Sequence, residues 1–310
     1  MRTTALIIGI VVCAVGCDKA ASKKVPVVQA SINLDAHPDI VFHVFGERQA
    51  PRMMPLAAIQ GNQIVEITLP PEGWRRLDAD YMKAATTYPV FADGGQSGTV
   101  TVDRGMWTDA PAYALPGCVN PTPMAQVTLH DTSTGNTIEA FATTRAAVAH
   151  PHGKPLSRDS VRFIAKHIGY QVGRGVGLDS TDLDALDFRA VAIETHAHAR
   201  PTIVVSFIDP RGGDDRAGGG KTADVLAIAD DDSSGYKVSF SHAFNGGAAS
   251  AEYRSYLDHL DLTGDGTDEI LIEGWRQGEQ TAPRILAWRN GTWREIFVGR
   301  SSWCLDPPGK

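Results

Sequence analysis

The stretch from Asp261 to Ile272, DLTGDGTDEILI, sets oxygen-bearing side chains at alternate positions with glycines between them. Calcium takes about six to eight oxygen ligands, so a loop around it must present oxygens at intervals and turn sharply. Gly264 and Gly266 permit such turns. The spacing predicts a calcium loop with five ligands, namely Asp261, Thr263, Asp265, the carbonyl of Thr267 and Glu269. Asp268, at an even position, is expected to point to solvent.

The loop departs from the EF-hand pattern, because an EF-hand needs a bidentate Glu at position twelve and a helix on each side. Ile272 stands at that position, inside a β-branched run. The stretch resembles the calcium loops of FG-GAP repeats, the β-propeller blades of integrin α subunits, and of bacterial VCBS repeats. Asp261, Asp265 and Gly266 match D-x-[DN]-x-D-G-x-x-D, while Thr263 and Glu269 depart from it. The resemblance covers roughly residues 255–290 and implies a structural calcium ion; a turn that binds nothing is the alternative.

Two His-x-His pairs, His150/His152 and His196/His198, offer imidazoles to a transition metal. On a strand such residues share a face, and Glu194 could be a third ligand beside the second pair. This arrangement gives an alternative function, an exported metal-dependent hydrolase. Because both pairs lie in proline-containing turn sequences, we favour surface histidines, with the second loop a sister of the calcium loop.

Four of the six tryptophans fall near the end of the chain: Trp275, Trp288, Trp293 and Trp303. Stacked indole rings can bind sugars, so a glycan-binding module is a further alternative. Packing in the core and in a hairpin explains these residues more simply.

The N-terminus, MRTTALIIGIVVCAVGCDKA, predicts the compartment. Arg2 precedes an apolar stretch, Ala5 to Gly16, that is shorter than the roughly 20 residues of a spanning helix. Its end, AVGC, resembles the lipobox of bacterial lipoproteins. The resemblance implies a signal peptide at residues 1–16, a lipidated Cys17 and a protein tethered to the cell envelope, on its periplasmic or surface side. An ordinary signal peptide or an uncleaved anchor is the alternative.

After Cys17, the tether at residues 17–35 is small, polar and charged. An oxidising compartment favours a disulfide between Cys118 and Cys304, with two separate thiols as the alternative. The net charge of −7, with no basic run beyond Lys23-Lys24, argues against nucleic acid as a partner.

The rest of the chain predicts a mainly β fold in two parts joined by a helix. An antiparallel β domain with one helix, Pro71 to Lys83, occupies residues 36–152. A helical connector follows at 153–180, where Ser157 can cap the helix and Gly173 can end it in a left-handed conformation. Residues 181–310 are predicted as a β domain of blade-like repeats.

An internal repeat supports the blade-like interpretation. A shift of 67 residues lays Thr202–Val205 on Glu269–Ile272, and each copy reads as strand, short polar loop, strand and hairpin. In the last hairpin, Asn290-Gly291 predicts a type I′ turn that places Trp288 opposite Trp293.

Together these features predict a lipid-anchored envelope protein of binding or scaffold type, without catalysis, whose second β domain is stabilised by calcium. Its partner would be an envelope protein or a glycan, and its contact with the membrane would be through the lipid alone.

Overall fold

A computed structural model describes residues 32–107, 122–131, 135–145, 156–209, 220–276 and 281–299. The predicted signal peptide, lipidated Cys17, the disulfide between Cys118 and Cys304, and the pair His150/His152 lie outside these residues. Within them, every helix is too short or too polar to cross a membrane. The fold is mainly β, as predicted.

The N-terminal part of the chain is an antiparallel barrel. Its strands are β1 (Asp39–Glu47), β2 (Arg52–Gln60), β3 (Gln63–Val65), β4 (Thr87–Ala92), β5 (Gly95–Gly105), β6 (Ala125–Asp131) and β7 (Thr137–Thr143). Strand β1 pairs with β7 on one side and with β2 on the other, so the order β1-β7-β4-β5-β6-β2 closes on itself. Strand β3 is a short hairpin partner of β2. Closure gives each of these six strands two neighbours, with only two residue pairs each between β2 and β6 and between β4 and β7.

Helix α1 (Pro71–Tyr81) packs against the barrel core, and it ends two residues before the predicted Lys83. Trp74, Leu77 and Tyr81 follow the helical spacing of the sequence and are buried. The helix begins with Pro71 at its first position, where a missing N–H costs no hydrogen bond.

Helix α2 (Arg158–Arg174) begins as predicted, with the Ser157 side chain accepting a hydrogen bond from the Ser160 N–H. Its end differs from the prediction. Gly173 lies inside the helix, and the cap at Gly175 is right-handed, with φ −61°. A side chain at Gly173 would clash with Leu183 of the short helix α3 (Ser180–Asp184), so the glycine serves close packing here.

The C-terminal part contains two four-stranded antiparallel sheets of the same topology. Sheet A consists of β8 (Asp187–Ile193), β9 (Thr202–Ile208), β10 (Lys221–Asp231) and β11 (Tyr236–Gly247). Sheet B consists of β12 (Tyr253–Leu260), β13 (Glu269–Trp275), β14 (Ala282–Arg289) and β15 (Thr292–Val298). Each is an up-and-down meander in chain order. Because β9 and β13 start 67 positions apart, the sequence repeat corresponds to these two sheets.

The last hairpin follows its turn prediction. Asn290 and Gly291 have φ of 53° and 80°, the positive values that a type I′ turn requires. Arg289 pairs with Thr292, and Trp288 stands opposite Trp293 with ring centroids 5.4 Å apart.

Sheet B lies between sheet A and the barrel. On β13, Ile270 and Ile272 pack against sheet A, whereas Leu271 packs against the outer wall of the barrel. The sequence of β13, EILIEGW, is apolar at successive positions because both faces of this strand are covered. Helix α2 covers the other face of sheet A, where Ala165 and Ile168 meet Val205.

Candidate metal centre

The predicted calcium loop, residues 261–268, joins β12 to β13, and Glu269 is the first residue of β13. Gly264 and Gly266 have φ of 73° and 85°, so the loop makes both sharp turns that the sequence predicted. The loop leads directly into a strand, which agrees with the rejection of an EF-hand.

Asp261 organises the backbone of the loop from within. Its side chain is buried, and its Oδ1 accepts hydrogen bonds from the N–H groups of Gly264 at 2.6 Å and Asp265 at 3.1 Å. Its Oδ2 accepts a third from Gly266 at 3.1 Å. One carboxylate thus holds three successive N–H groups in place.

Glu269 closes the loop from the other end. Its Oε2 accepts hydrogen bonds from the N–H groups of Leu262 at 2.9 Å and Thr263 at 3.2 Å, and its Oε1 accepts one from Thr263 Oγ1 at 3.0 Å. Burial raises the pKa of Glu269 to about 7, although these hydrogen bonds favour the ionised form. The carboxyl group is therefore close to its titration point at neutral pH.

Asp265 is exposed and lies on the outer side of the loop. Asp265 Oδ1 accepts a hydrogen bond from the Thr267 N–H at 3.0 Å, and its Oδ2 lies 3.2 Å from the guanidinium of Arg289. Within the described ranges, no three histidine, cysteine or acidic side chains converge closely enough to hold a metal ion. Asp261 and Glu269 therefore face the loop interior, whereas Asp265 is turned toward Arg289.

Arg145 is a neighbour of the loop that sequence reasoning missed. It follows β7 of the barrel, and its Nη1 donates a hydrogen bond to the carbonyl oxygen of Thr263 at 3.0 Å. Its guanidinium occupies the space beside Gly264 where a side chain would otherwise lie. The two residues are 118 positions apart, and no local pattern marks the contact.

The prediction for Asp268 was wrong, because its side chain is buried and only 3% exposed. Burial, followed by repulsion from Asp261, Glu269 and Asp258, raises the pKa of Asp268 to about 7. The Asp268 N–H donates to the carbonyl oxygen of Thr195 at 2.9 Å. This bond ties the loop to its counterpart in sheet A.

A turn of the barrel covers this acidic region. The Gly94 N–H, in the turn between β4 and β5, donates to Asp258 Oδ1 at 2.9 Å. Burial raises the pKa of Asp258 to about 6, although hydrogen bonds from Gly94 and His259 favour its ionised form. His259 packs directly beneath Gly94, and its Nδ1 lies 2.7 Å from the hydroxyl of Tyr256. This turn of the barrel therefore shields the Asp258 carboxyl group from water.

The sister loop, residues 194–201, joins β8 to β9 at the position equivalent to the predicted calcium loop. His198 stacks edge-on against Trp288, with centroids 4.7 Å apart, and its Nε2 lies 4.0 Å from Asp230. Glu194, His196 and His198 are not brought together as a metal set among the residues described.

Asp230 is a further buried carboxylate, near the end of β10. It accepts hydrogen bonds from Thr202 Oγ1 at 2.6 Å, from Trp293 Nε1 at 2.9 Å and from Ser239 Oγ. It thereby links sheet A to sheet B. Trp293 is buried in this link and does not belong to an exposed stacking platform.

No family model matches the chain, and neither the curated proteins nor the solved structures contain a match.

Proposed function

We propose that the chain is a lipid-anchored envelope protein of binding or scaffold type, in which one calcium ion stabilises the loop between β12 and β13. The observation that carries the calcium proposal is the burial of several carboxyl groups around one sharply turned loop. Asp261, Asp268 and Glu269 are all less than a tenth exposed. Charges crowded in this way repel one another, and a divalent cation offsets that repulsion.

The donor set suits calcium by chemistry, because it consists of hard oxygen atoms from carboxylates, a hydroxyl group and a backbone carbonyl. Asp261, Glu269 and Thr263 Oγ1 already lie at the loop interior. For Asp265 to join them, its carboxylate must leave Arg289. Calcium binding is therefore expected to release the Asp265–Arg289 ion pair.

Support for a non-catalytic role comes from what these side chains do. Asp261 and Glu269 hold the backbone of the loop, and Asp230 links the two sheets. A calcium ion at this position would fix the β12–β13 connection and so stabilise a rigid surface for a partner. The lipid anchor rests on the lipobox resemblance at Cys17.

The test is calcium binding by the full-length protein in detergent, measured by calorimetry, together with thermal melting with and without a chelator. We expect one calcium per chain, with a dissociation constant of about 10⁻⁴–10⁻³ M, and a higher melting temperature in calcium. Asp265→Asn is expected to weaken binding, because it removes a charged ligand that makes no contact with the core.

Asp232→Asn is the matched control, since Asp232 is an acidic residue at the exposed tip between β10 and β11, paired with Lys237. Its calcium affinity is expected to equal that of the unaltered protein. Melting that is indifferent to calcium, or equal affinity in the Asp265 variant, would refute the proposal.

A further inference from the structure

A cavity remains between the two sheets at the edge of sheet A. Strand β12 packs on β9 and β10, and β8 forms the free edge of sheet A beside it. The cavity has a volume of about 110 Å³, and it is lined by Arg189, Ala190, Val191, Val204, Ser206 and Tyr256. Cofactors and drug-sized ligands need about 300 Å³ or more, so the space suits only a small molecule.

Much of the lining is hydrocarbon. Val191 and Val204, from neighbouring strands of sheet A, belong to the apolar cluster between the sheets, and Tyr256 approaches from sheet B. The hydroxyl group of Tyr256 is already engaged with His259 Nδ1 at 2.7 Å. A short alkyl chain therefore finds apolar contacts here without displacing a hydrogen bond.

Two polar side chains line the cavity without partners of their own. Arg189 is exposed and makes no ion pair or hydrogen bond with any other residue that the structure describes. The positive charge of Arg189 acts electrostatically on Glu273, but the Glu273 carboxyl group accepts a hydrogen bond from the Ser255 hydroxyl at 2.6 Å. Ser206, on β9, is buried and likewise has no partner among the described residues.

We propose that this cavity binds a small aliphatic monocarboxylate. The alkyl chain lies between Val191, Val204 and Tyr256. The guanidinium of Arg189 is planar, and its N–H groups match the two carboxylate oxygens to which they donate. The Ser206 hydroxyl is a further donor. The site is independent of the calcium loop, so it stands or falls separately from the proposed function.

The experiment is calorimetric titration of the full-length protein, in chelator, with sodium butyrate. Butan-1-ol and butylammonium chloride are the matched probes, because they keep the alkyl chain and change only the charged end. We expect saturable butyrate binding, and binding of the alcohol and the amine at least about tenfold weaker, as the loss of a charge-assisted hydrogen bond predicts.

Arg189→Gln is expected to reduce butyrate affinity at least about tenfold while the melting temperature stays the same, because the side chain is exposed. Arg294→Gln, at another exposed arginine on a strand, is the control and is expected to bind butyrate normally. The proposal is overturned if butyrate does not saturate, if butanol binds equally well, or if Arg189→Gln binds like the unaltered protein.

Discussion

Several buried carboxyl groups surround the loop between β12 and β13, and their burial changes the pH at which they are protonated. Asp268 and Glu269 have ordinary pKa values of 3.8 and 4.5, and burial raises both to about 7. Each group therefore binds protons more tightly in the folded protein than in the unfolded chain. The stability of the calcium-free protein must then depend on pH.

The sign of this dependence follows from the raised pKa of Asp268. Its contribution to the free energy of unfolding is fully present below about pH 4 and is lost as the pH rises to about 7. We expect Asp268→Asn, which cannot ionise, to remove that loss. Between pH 5 and 6.5 the two proteins should diverge by up to about 1.4 kcal/mol per pH unit.

Urea denaturation at a series of pH values in calcium-free buffer measures this difference. Asp232→Asn is again a suitable control, because the ion pair with Lys237 lowers the pKa of Asp232 to about 2, well below this window. If the free energy of unfolding depends on pH in the same way for the Asp268 variant and the unaltered protein, the raised pKa of Asp268 is contradicted.

At this scale the sequence predicts the loop but not its surroundings. Alternating oxygens and two glycines are local features, so the turns and the inward Asp261 were predictable. The turn at Gly94 reaches Asp258, and Arg145 reaches the loop from the end of β7. Both contacts join distant parts of the chain, and neither leaves a pattern in a short window.

At the scale of elements, the turn between β4 and β5 is the contact that closes the acidic region. Gly94 has φ +75°, and a Cβ there would clash with the imidazole ring of His259. This glycine thus meets two requirements at once, a left-handed backbone and close approach to sheet B. The first can be read from the hairpin sequence, whereas the second cannot.

Gly94→Ala is expected to destabilise the protein more than a turn substitution without this contact. Gly61 is the matched case, because its φ is +62° and a Cβ there would meet nothing within 4 Å. Gly61→Ala should cost about 1–2 kcal/mol through backbone strain alone. Gly94→Ala should cost about 1–3 kcal/mol more through overpacking, as measured by chemical denaturation. Equal losses would mean that the turn does not press on His259.

Helices and hairpins were largely predictable, because their signals are local. The apolar spacing of α1 and α2 and the turn at Asn290-Gly291 all correspond to observed elements. The end of α2 was misplaced because Gly173 was interpreted as a terminator, whereas it allows Leu183 to approach. Closure of the barrel through β1 and β2 was not predicted either, since strand patterns do not specify which strands pair.

At the scale of the whole molecule, sheet B is the central layer. Strand β13 is paired on both sides and covered on both faces, whereas β11 is an edge strand whose residues are mostly half-buried or exposed. Local opening is rarest where burial and pairing are greatest. The centre of the molecule is therefore expected to be its most stable part.

Hydrogen exchange followed by mass spectrometry tests this layering. We expect peptides covering Ile270–Ile272 to exchange at least about tenfold more slowly than peptides from β11, because their amides open only with the whole stack. The comparison needs no variant. Strand β8 is the other edge strand of sheet A, and its exchange rate, compared with that of β11, is the internal control for an edge strand. Comparable exchange in β11 and β13 would show that the layers separate readily.

Closure of the barrel has a mechanical consequence. Strand β1 is the first strand after the predicted tether, and it is hydrogen-bonded along its length to β2 and to β7. A pulling force from a lipid at Cys17 would shear β1 against both β2 and β7. Many backbone hydrogen bonds would then have to break together. An edge strand under the same load would unzip one bond at a time. The proposed anchor would thus pull on a strand that resists extraction by force.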